Sequence, residues 1–169
     1  MTQIIPRVHL ATIFRLIITI IVGPLTATFI NAGTLVSDGG QWKVRQINTF
    51  IRPTSIDIAE DVLLGFSNSA EACQVVDHID FGENGEFSEN QPFPGLINGE
   101  DSFVVEATAN IHVTTPGDIT FGLESDHSAR LSIDGVEIVT KATSLTSFGT
   151  VNLAAGTHSV RVIHYETTE

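Results

Sequence analysis

Cysteine, tryptophan, tyrosine and methionine are each nearly absent from this sequence of 169 residues, in which each occurs once. The single cysteine, Cys73, excludes a disulfide within the chain, so packing alone has to hold the fold together. We expect Cys73 to be a small buried apolar residue, the alternative being a thiol that pairs with another molecule. Basic residues are also scarce, at 8 Lys and Arg against 20 Asp and Glu. Such an acidic surface argues against a nucleic-acid partner.

A long apolar segment is missing as well. The apolar run near the N-terminus, Leu16 to Val22, is far shorter than the ~20 residues that span a bilayer. It follows Arg7 and Arg15, which are the only charges in this part of the chain, and small residues follow it up to Ala32. A positive start, a short apolar run and a small-residue end are typical of a secretory signal peptide.

We therefore predict that residues 1–32 are a signal peptide cleaved after Ala32, with Ala27 as the second choice and an uncleaved membrane anchor as the alternative reading. The protein is then secreted or held at the cell surface, and it meets a membrane only during export. Residues 33–169 would form one domain with six basic and twenty acidic residues, a net charge of −14. The acidity fits simple solubility, or carboxylates gathered around calcium.

Alternation of apolar and polar residues with a period of two dominates the rest of the sequence and predicts strands. Asp134-Gly135 lies between two short alternating runs and predicts a hairpin with a type I′ turn, which fully explains this aspartate. No long segment has helical spacing, and Val62 to Leu64 fits either a strand or a helical turn. Many short strands without helices between them predict an all-β, two-sheet antiparallel sandwich, with a barrel as the alternative. The predicted strands are one or two within residues 41–66, followed by 103–113, 119–124, 131–133, 136–138, 148–153 and 158–165.

Residues 75–101 are rich in Gly, Asn, Glu and Pro and predict a long loop. We expect its three phenylalanines, Phe81, Phe87 and Phe93, to anchor the loop to the core, the alternative being an exposed aromatic platform that stacks on a sugar. Its acids, among them Asp77 and Glu83, fit a solvated loop better than a second calcium site, because their spacing is not that of an EF-hand.

Catalytic motifs find no support in the sequence. It has no His-Glu-x-x-His zinc motif and no Gly-x-Ser-x-Gly nucleophile elbow. Nothing singles out two carboxylates as the acid and base of a glycosidase. We therefore predict that the protein is not an enzyme.

The segment 116–166 resembles the PA14 domain family. It runs from an aromatic strand to Ser-Asp, then to an apolar-x-Ile-Asp-Gly hairpin, a Leu-x-Ala-Gly turn, and a closing strand that ends in Tyr and an acid. The residues that carry the resemblance are Phe121, Ser125, Asp126, Leu131, Ile133, Asp134, Gly135, Leu153, Ala155, Gly156, Tyr165 and Glu166. Residues 78–103 are similar to the upstream part of the family, but less specifically.

The resemblance implies a non-catalytic β-sandwich of the kind found in adhesins, in toxins and beside glycosidases. In lectin-like members two consecutive aspartates hold a calcium ion that grips sugar hydroxyls. The corresponding pair is Asp126-His127, so Asp126 is the candidate calcium ligand. His127 puts the ion in doubt, because imidazole is a poor calcium ligand. The family also continues into a further strand beyond the Tyr-x-Glu motif, which is expected to be absent or to lie past Glu169.

These observations predict a secreted, lectin-like module that binds glycans or cell-surface polysaccharide. The candidate ligand-binding residues are Ser125, Asp126, His127 and Arg130. Arg130 is either a hydrogen-bond donor to the sugar or a surface ion pair of little energy. Two alternatives stay open: a structural or adhesive module without a small ligand, and an accessory domain of a larger exported glycosidase.

Overall fold

The structure of the chain is a computed structural model. It describes residues 14–19, 34–36, 41–65, 70–77, 79–81, 102–125, 127–141 and 146–167. In these residues the chain forms, in order, β1 (Phe14–Thr19), β2 (Thr34–Val36), β3 (Trp42–Asn48), α1 (Ile56–Leu63), β4 (Ala70–Val76), β5 (Asp80–Phe81), β6 (Ser102–Thr115), β7 (Gly117–Ser125), β8 (Ala129–Ile133), β9 (Val136–Lys141), β10 (Ser147–Leu153) and β11 (Gly156–Thr167).

The strands form two antiparallel sheets. The small sheet has the order β10-β7-β1-β5, and the large sheet has the order β4-β3-β6-β11-β8-β9, with β2 also paired to β6. The predicted all-β, two-sheet antiparallel sandwich is thus confirmed. Its core lies between the sheets, where Ile119, Phe121 and Leu123 of β7 are fully or almost fully buried. They pack in one cluster with apolar residues of the large sheet, among them Val105, Ala107, Leu131, Ile133, Val160 and Val162.

The helix α1 contradicts the prediction that no helix interrupts the strands. Ser55 caps its N-terminus, and the Ser55 hydroxyl accepts a hydrogen bond from the backbone N–H of Ile58 at 3.3 Å. The apolar residues of α1 lie on one face and form a second buried cluster on the large sheet, outside the sandwich: Ile56, Ala59, Val62 and Leu63 with Ile47, Val104, Ile163 and Tyr165. The side of the large sheet that carries α1 is called the outer face below.

The predicted Asp-Gly hairpin is confirmed. Asp134 and Gly135 have φ values of 51° and 78°, the left-handed conformation that a type I′ turn needs, and they join β8 to β9. The Asp134 carboxylate also accepts a hydrogen bond of 2.8 Å from the backbone N–H of Ser159 and lies 2.6 Å from Nδ1 of His158. The turn is therefore fastened to the start of β11.

The pair of His158 and Asp134 should make the stability of the fold depend on pH. The hydrogen bond to Asp134, followed by the Ala154 carbonyl, raises the pKa of His158 above 6.5. The hydrogen bond from His158, followed by the Ser159 amide, lowers the pKa of Asp134 below 3.8. The stabilisation that His158 contributes is fully present below pH 6.5 and is lost as the pH rises through its raised folded pKa. The stabilisation that Asp134 contributes is present above pH 3.8 and is lost as the pH falls through its lowered folded pKa.

We expect Asp134→Asn, which keeps a residue tolerant of positive φ, to be less stable than wild type mainly between pH 3.8 and the raised pKa of His158. The urea midpoint of each protein, measured from pH 4 to pH 9, tests this. The difference between wild type and variant should shrink above neutral pH, and a difference that is constant across the range would contradict the linkage.

Strand β1 lies inside the segment predicted to be a signal peptide. It pairs with β7 along its whole length, from Phe14 opposite Ser125 to Thr19 opposite Thr120, and its first two residues also pair with β5. The domain boundary at residue 33 and the cleavage after Ala32 stay predictions. Across the ranges that the structure describes, no helix has the length and hydropathy to cross a membrane.

The prediction that Cys73 is buried is wrong, since its side chain is exposed. Cys73 lies in β4, which ends the large sheet, and its thiol donates a weak hydrogen bond to Glu71 at 3.7 Å. Partial desolvation of the sulfur, followed by the Glu71 carboxylate, raises the pKa of Cys73. The prediction relied on cysteine being a commonly buried residue type. Cys73 is exposed because it lies in a strand at the edge of the sheet.

The predicted loop 75–101 lies largely outside the described residues, because the structure resumes only at residue 102 after Phe81. The side chains of Phe81, Phe87 and Phe93 and that of Glu83 fall in this part. Their roles as anchors, stacking platform or calcium ligands therefore stay predictions.

Candidate site at one end of the sandwich

Polar side chains gather on the inner face of the large sheet at one end. Across the sheet, Asn48 lies opposite Phe103 and Phe103 opposite Glu166; one row further in, Gln46 lies opposite Val105 and Val105 opposite His164. Residues in register on neighbouring strands point to the same face, so these two rows share the face that looks into the sandwich. The polar members Gln46, Asn48, His164 and Glu166 are all buried.

The link between β7 and β8 closes this end. The Ser125 hydroxyl, itself buried, donates a hydrogen bond of 2.5 Å to the backbone carbonyl of His127. The Tyr165 hydroxyl contacts the Ser128 hydroxyl at 3.3 Å, and the Tyr165 N–H donates to the Ser128 carbonyl at 3.3 Å. These contacts hold the backbone of His127 and Ser128 against β7 and β11.

One carboxylate joins the turn to the sheet. Oε2 of Glu166 lies 3.0 Å from Nδ1 of His127 and 3.9 Å from Nε2 of His164. The side chain of Glu166 is 7% exposed and that of His164 is not exposed at all, whereas that of His127 is 33% exposed. His127 therefore extends from a buried acid–imidazole group to the solvent. Such a group can orient a polar ligand by hydrogen bonds.

The structure does not bring the four predicted site residues together. Ser125 and His127 come together at the closed end. Asp126 lies outside the described residues. Arg130 lies elsewhere: it is opposite Ile163 on the outer face, and its guanidinium is within 3.0 Å of Glu137, 3.1 Å of Asp57 and 3.4 Å of Glu60.

Calcium at this end stays a prediction, because Asp126, its candidate ligand, lies outside the described residues. Calcium takes six to eight oxygen ligands, and the described side chains nearest to His127 include the buried Glu166 carboxylate. Among the residues with a described position, no three His, Cys, Asp or Glu side chains group as metal ligands. The binding mode proposed below is built from the described residues alone and has no metal step.

Sequence reasoning missed His164 and Glu166 as members of the site. Both have the same parity on β11 as Val160 and Val162, which belong to the core. A histidine and an acid on the core face of a strand have to be satisfied by polar partners inside the protein, because burying an unpaired charge is costly. This shared parity was the signal that could have placed both residues in the site. Glu166 was already known as a residue of the PA14 motif, but not as a member of the site.

The sequence matches the PA14 domain family over residues 75–169, more than half of the chain. This protein is a member of the PA14 domain family, which confirms the resemblance drawn from residues 116–166. Its fold is similar to part of the GH31 alpha-xylosidase from Xanthomonas citri, with a TM-score of 0.51 and 16% identity. The similarity covers 82% of this chain and 15% of the xylosidase chain. No curated protein matches the chain.

Proposed function

We propose that this PA14 domain is a non-catalytic carbohydrate-binding module of an exported protein. The sugar binds at the closed end of the sandwich, against the turn of Ser125, Asp126 and His127. The observation that carries the proposal is the partly exposed imidazole of His127, whose Nδ1 lies 3.0 Å from the buried carboxylate of Glu166. A fixed imidazole offers a directed hydrogen bond to a sugar hydroxyl at little entropic cost.

The roles of the residues follow from their burial. His127 contacts the ligand, and Glu166 is a positioning residue that keeps the imidazole oriented. The Ser125 hydroxyl fixes the backbone of the turn through the His127 carbonyl. Arg130 serves to bind α1 to the sheet, because three carboxylates surround its guanidinium.

The test is glycan-array binding of the full-length chain and of single variants, followed by titration of the best glycan. We expect His127→Ala to weaken binding about tenfold or more, the effect of one lost directed hydrogen bond of ~1.4 kcal/mol. Glu166→Gln should weaken binding less and change its pH profile. Asp126→Ala tests the remaining predicted residue of the turn.

Two matched controls separate a site effect from a general one. His112→Ala removes another imidazole on the surface of β6 and should leave the affinity unchanged. Arg130→Ala should keep the affinity while lowering stability; a folded Arg130→Ala protein that no longer binds would instead support the donor role for Arg130. Binding should persist in EDTA, and its loss on removal of calcium would contradict the metal-free mode.

The accessory-domain alternative is supported by one observation, the similarity to a segment that makes up 15% of an α-xylosidase chain. A folded protein that binds no glycan would contradict carbohydrate binding and favour the structural or adhesive module. Attachment of this domain to a catalytic domain in the intact gene would favour the accessory role.

A further inference from the structure

The outer face of the large sheet carries half of the basic residues of an otherwise acidic protein. Ile47 and Ile163 mark this face because they pack under α1. Lys43 and Arg45 share the parity of Ile47 on β3, and Arg161 shares that of Ile163 on β11. With Arg130, four of the eight Lys and Arg residues of the chain lie on this one face.

The three arginines of this face are neutralised by neighbouring acids, whereas Lys43 is not. Arg45 makes two hydrogen bonds to Glu71, at 2.8 and 3.1 Å. Arg161 contacts Glu106 at 2.6 Å and Glu60 at 3.0 Å. Within the described part of the chain, the exposed ammonium of Lys43 makes neither a hydrogen bond nor an ion pair.

Lys43 lines a groove of about 390 Å³ between β3, β4 and β6. This volume lies within the ~300–1,000 Å³ of typical small-ligand sites. The polar side chains of Glu106 and Thr108 lie on the same face, and Val75 supplies an apolar wall. Because Arg45 is paired with Glu71, Lys43 is the lining cation that has no acidic partner among the described residues.

We propose that this groove is a second binding site, which takes a carboxylated sugar of an acidic polysaccharide. The Lys43 ammonium pairs with the sugar carboxylate, a charge-assisted contact. The Thr108 hydroxyl offers a hydrogen bond to a sugar hydroxyl, and Val75 packs against the apolar face of the ring. The groove lies on the outer face, whereas His164 and Glu166 point to the inner face, so the two sites are separate.

The test is calorimetric titration of the full-length chain with an oligomer of galacturonic acid and with its neutral galactose counterpart. We expect the uronate alone to bind in the groove, and high salt to weaken it, since the contact is partly exposed. Lys43→Ala should weaken uronate binding about tenfold or more, as expected for one charge-assisted hydrogen bond. Lys43→Arg should restore most of it.

Arg52→Ala is the matched control, because Arg52 is another exposed cation and lies outside the groove. It should leave uronate binding unchanged; an equal loss in Arg52→Ala and Lys43→Ala would show diffuse attraction and overturn the site. Absence of uronate binding by the wild-type protein would also overturn it. His127→Ala must not affect the groove, so failure here and failure at the His127 site are distinguishable.

Discussion

Gly149→Ala is expected to lower the unfolding temperature by roughly 6–12 °C. A Cβ at this position would fall on the backbone carbonyl oxygen of Ile138 and lie 2.8 Å from Cγ2 of Val139. Gly149 belongs to β10 of the small sheet, and Ile138 and Val139 belong to β9 of the large sheet, so a methyl group would push the two sheets apart at this corner. Overpacking costs about 3 kcal/mol when backbone has to move, and each kcal/mol shifts the midpoint by ~2–4 °C at this size.

Thermal unfolding followed by circular dichroism measures this effect. Thr150→Ser in the same strand, at an exposed position, is the control and should shift the midpoint by no more than ~1–2 °C, because surface substitutions rarely exceed about 0.5 kcal/mol. A Gly149→Ala protein as stable as wild type would mean that β9 and β10 do not approach as closely as the structure has them.

Removal of residues 1–32 is expected to destabilise the domain even more. The deletion takes β1 away from β7 and leaves β5 without its described partner, so the small sheet keeps only β7 and β10. Two strands are marginal as a layer, and the open edge of β7 exposes backbone groups over residues 120–125. We expect a lower urea midpoint and faster amide exchange in this stretch.

The matched control is a chain that starts at residue 13, which loses only the part of the same segment that precedes β1. It should unfold at the urea concentration of the full-length protein. Equal midpoints for this chain and for the chain starting at residue 33 would show that β1 contributes nothing to the sandwich.

Much of the fold could be predicted from the sequence, because alternation and turn chemistry are local. Ile119, Phe121 and Leu123 fixed one face of a strand, and Asp134-Gly135 fixed a hairpin. The helix α1 carried its own local signals, a capping Ser55 and apolar residues at 56, 59, 62 and 63, but the surrounding strand-like sequence outweighed them. A short helix on a sheet is stabilised by packing that the sequence does not display.

The candidate site was harder to predict, since it depends on which face each residue occupies. Arg130 is near Asp126 in sequence, yet it follows Ala129, which points into the sandwich, and so it points outward. His164 and Glu166 are almost forty residues away from the turn and reach it only because β11 pairs with β8. Contacts of this kind follow from strand order, which alternation alone leaves undetermined.

The position of β1 also ties the assembly of the domain to its transport. Its partner residues in β7 are about a hundred positions further along the chain, and contacts between such distant residues form late in folding. If residues 1–32 serve as an export signal, the transport machinery holds them while the rest of the chain is still unfolded. The six residues of β1 then serve either export or the small sheet, and the relative rates of folding and export decide which. A molecule that completes its small sheet before export has its export signal paired within the fold. A molecule that is exported first arrives with the edge of β7 unpaired.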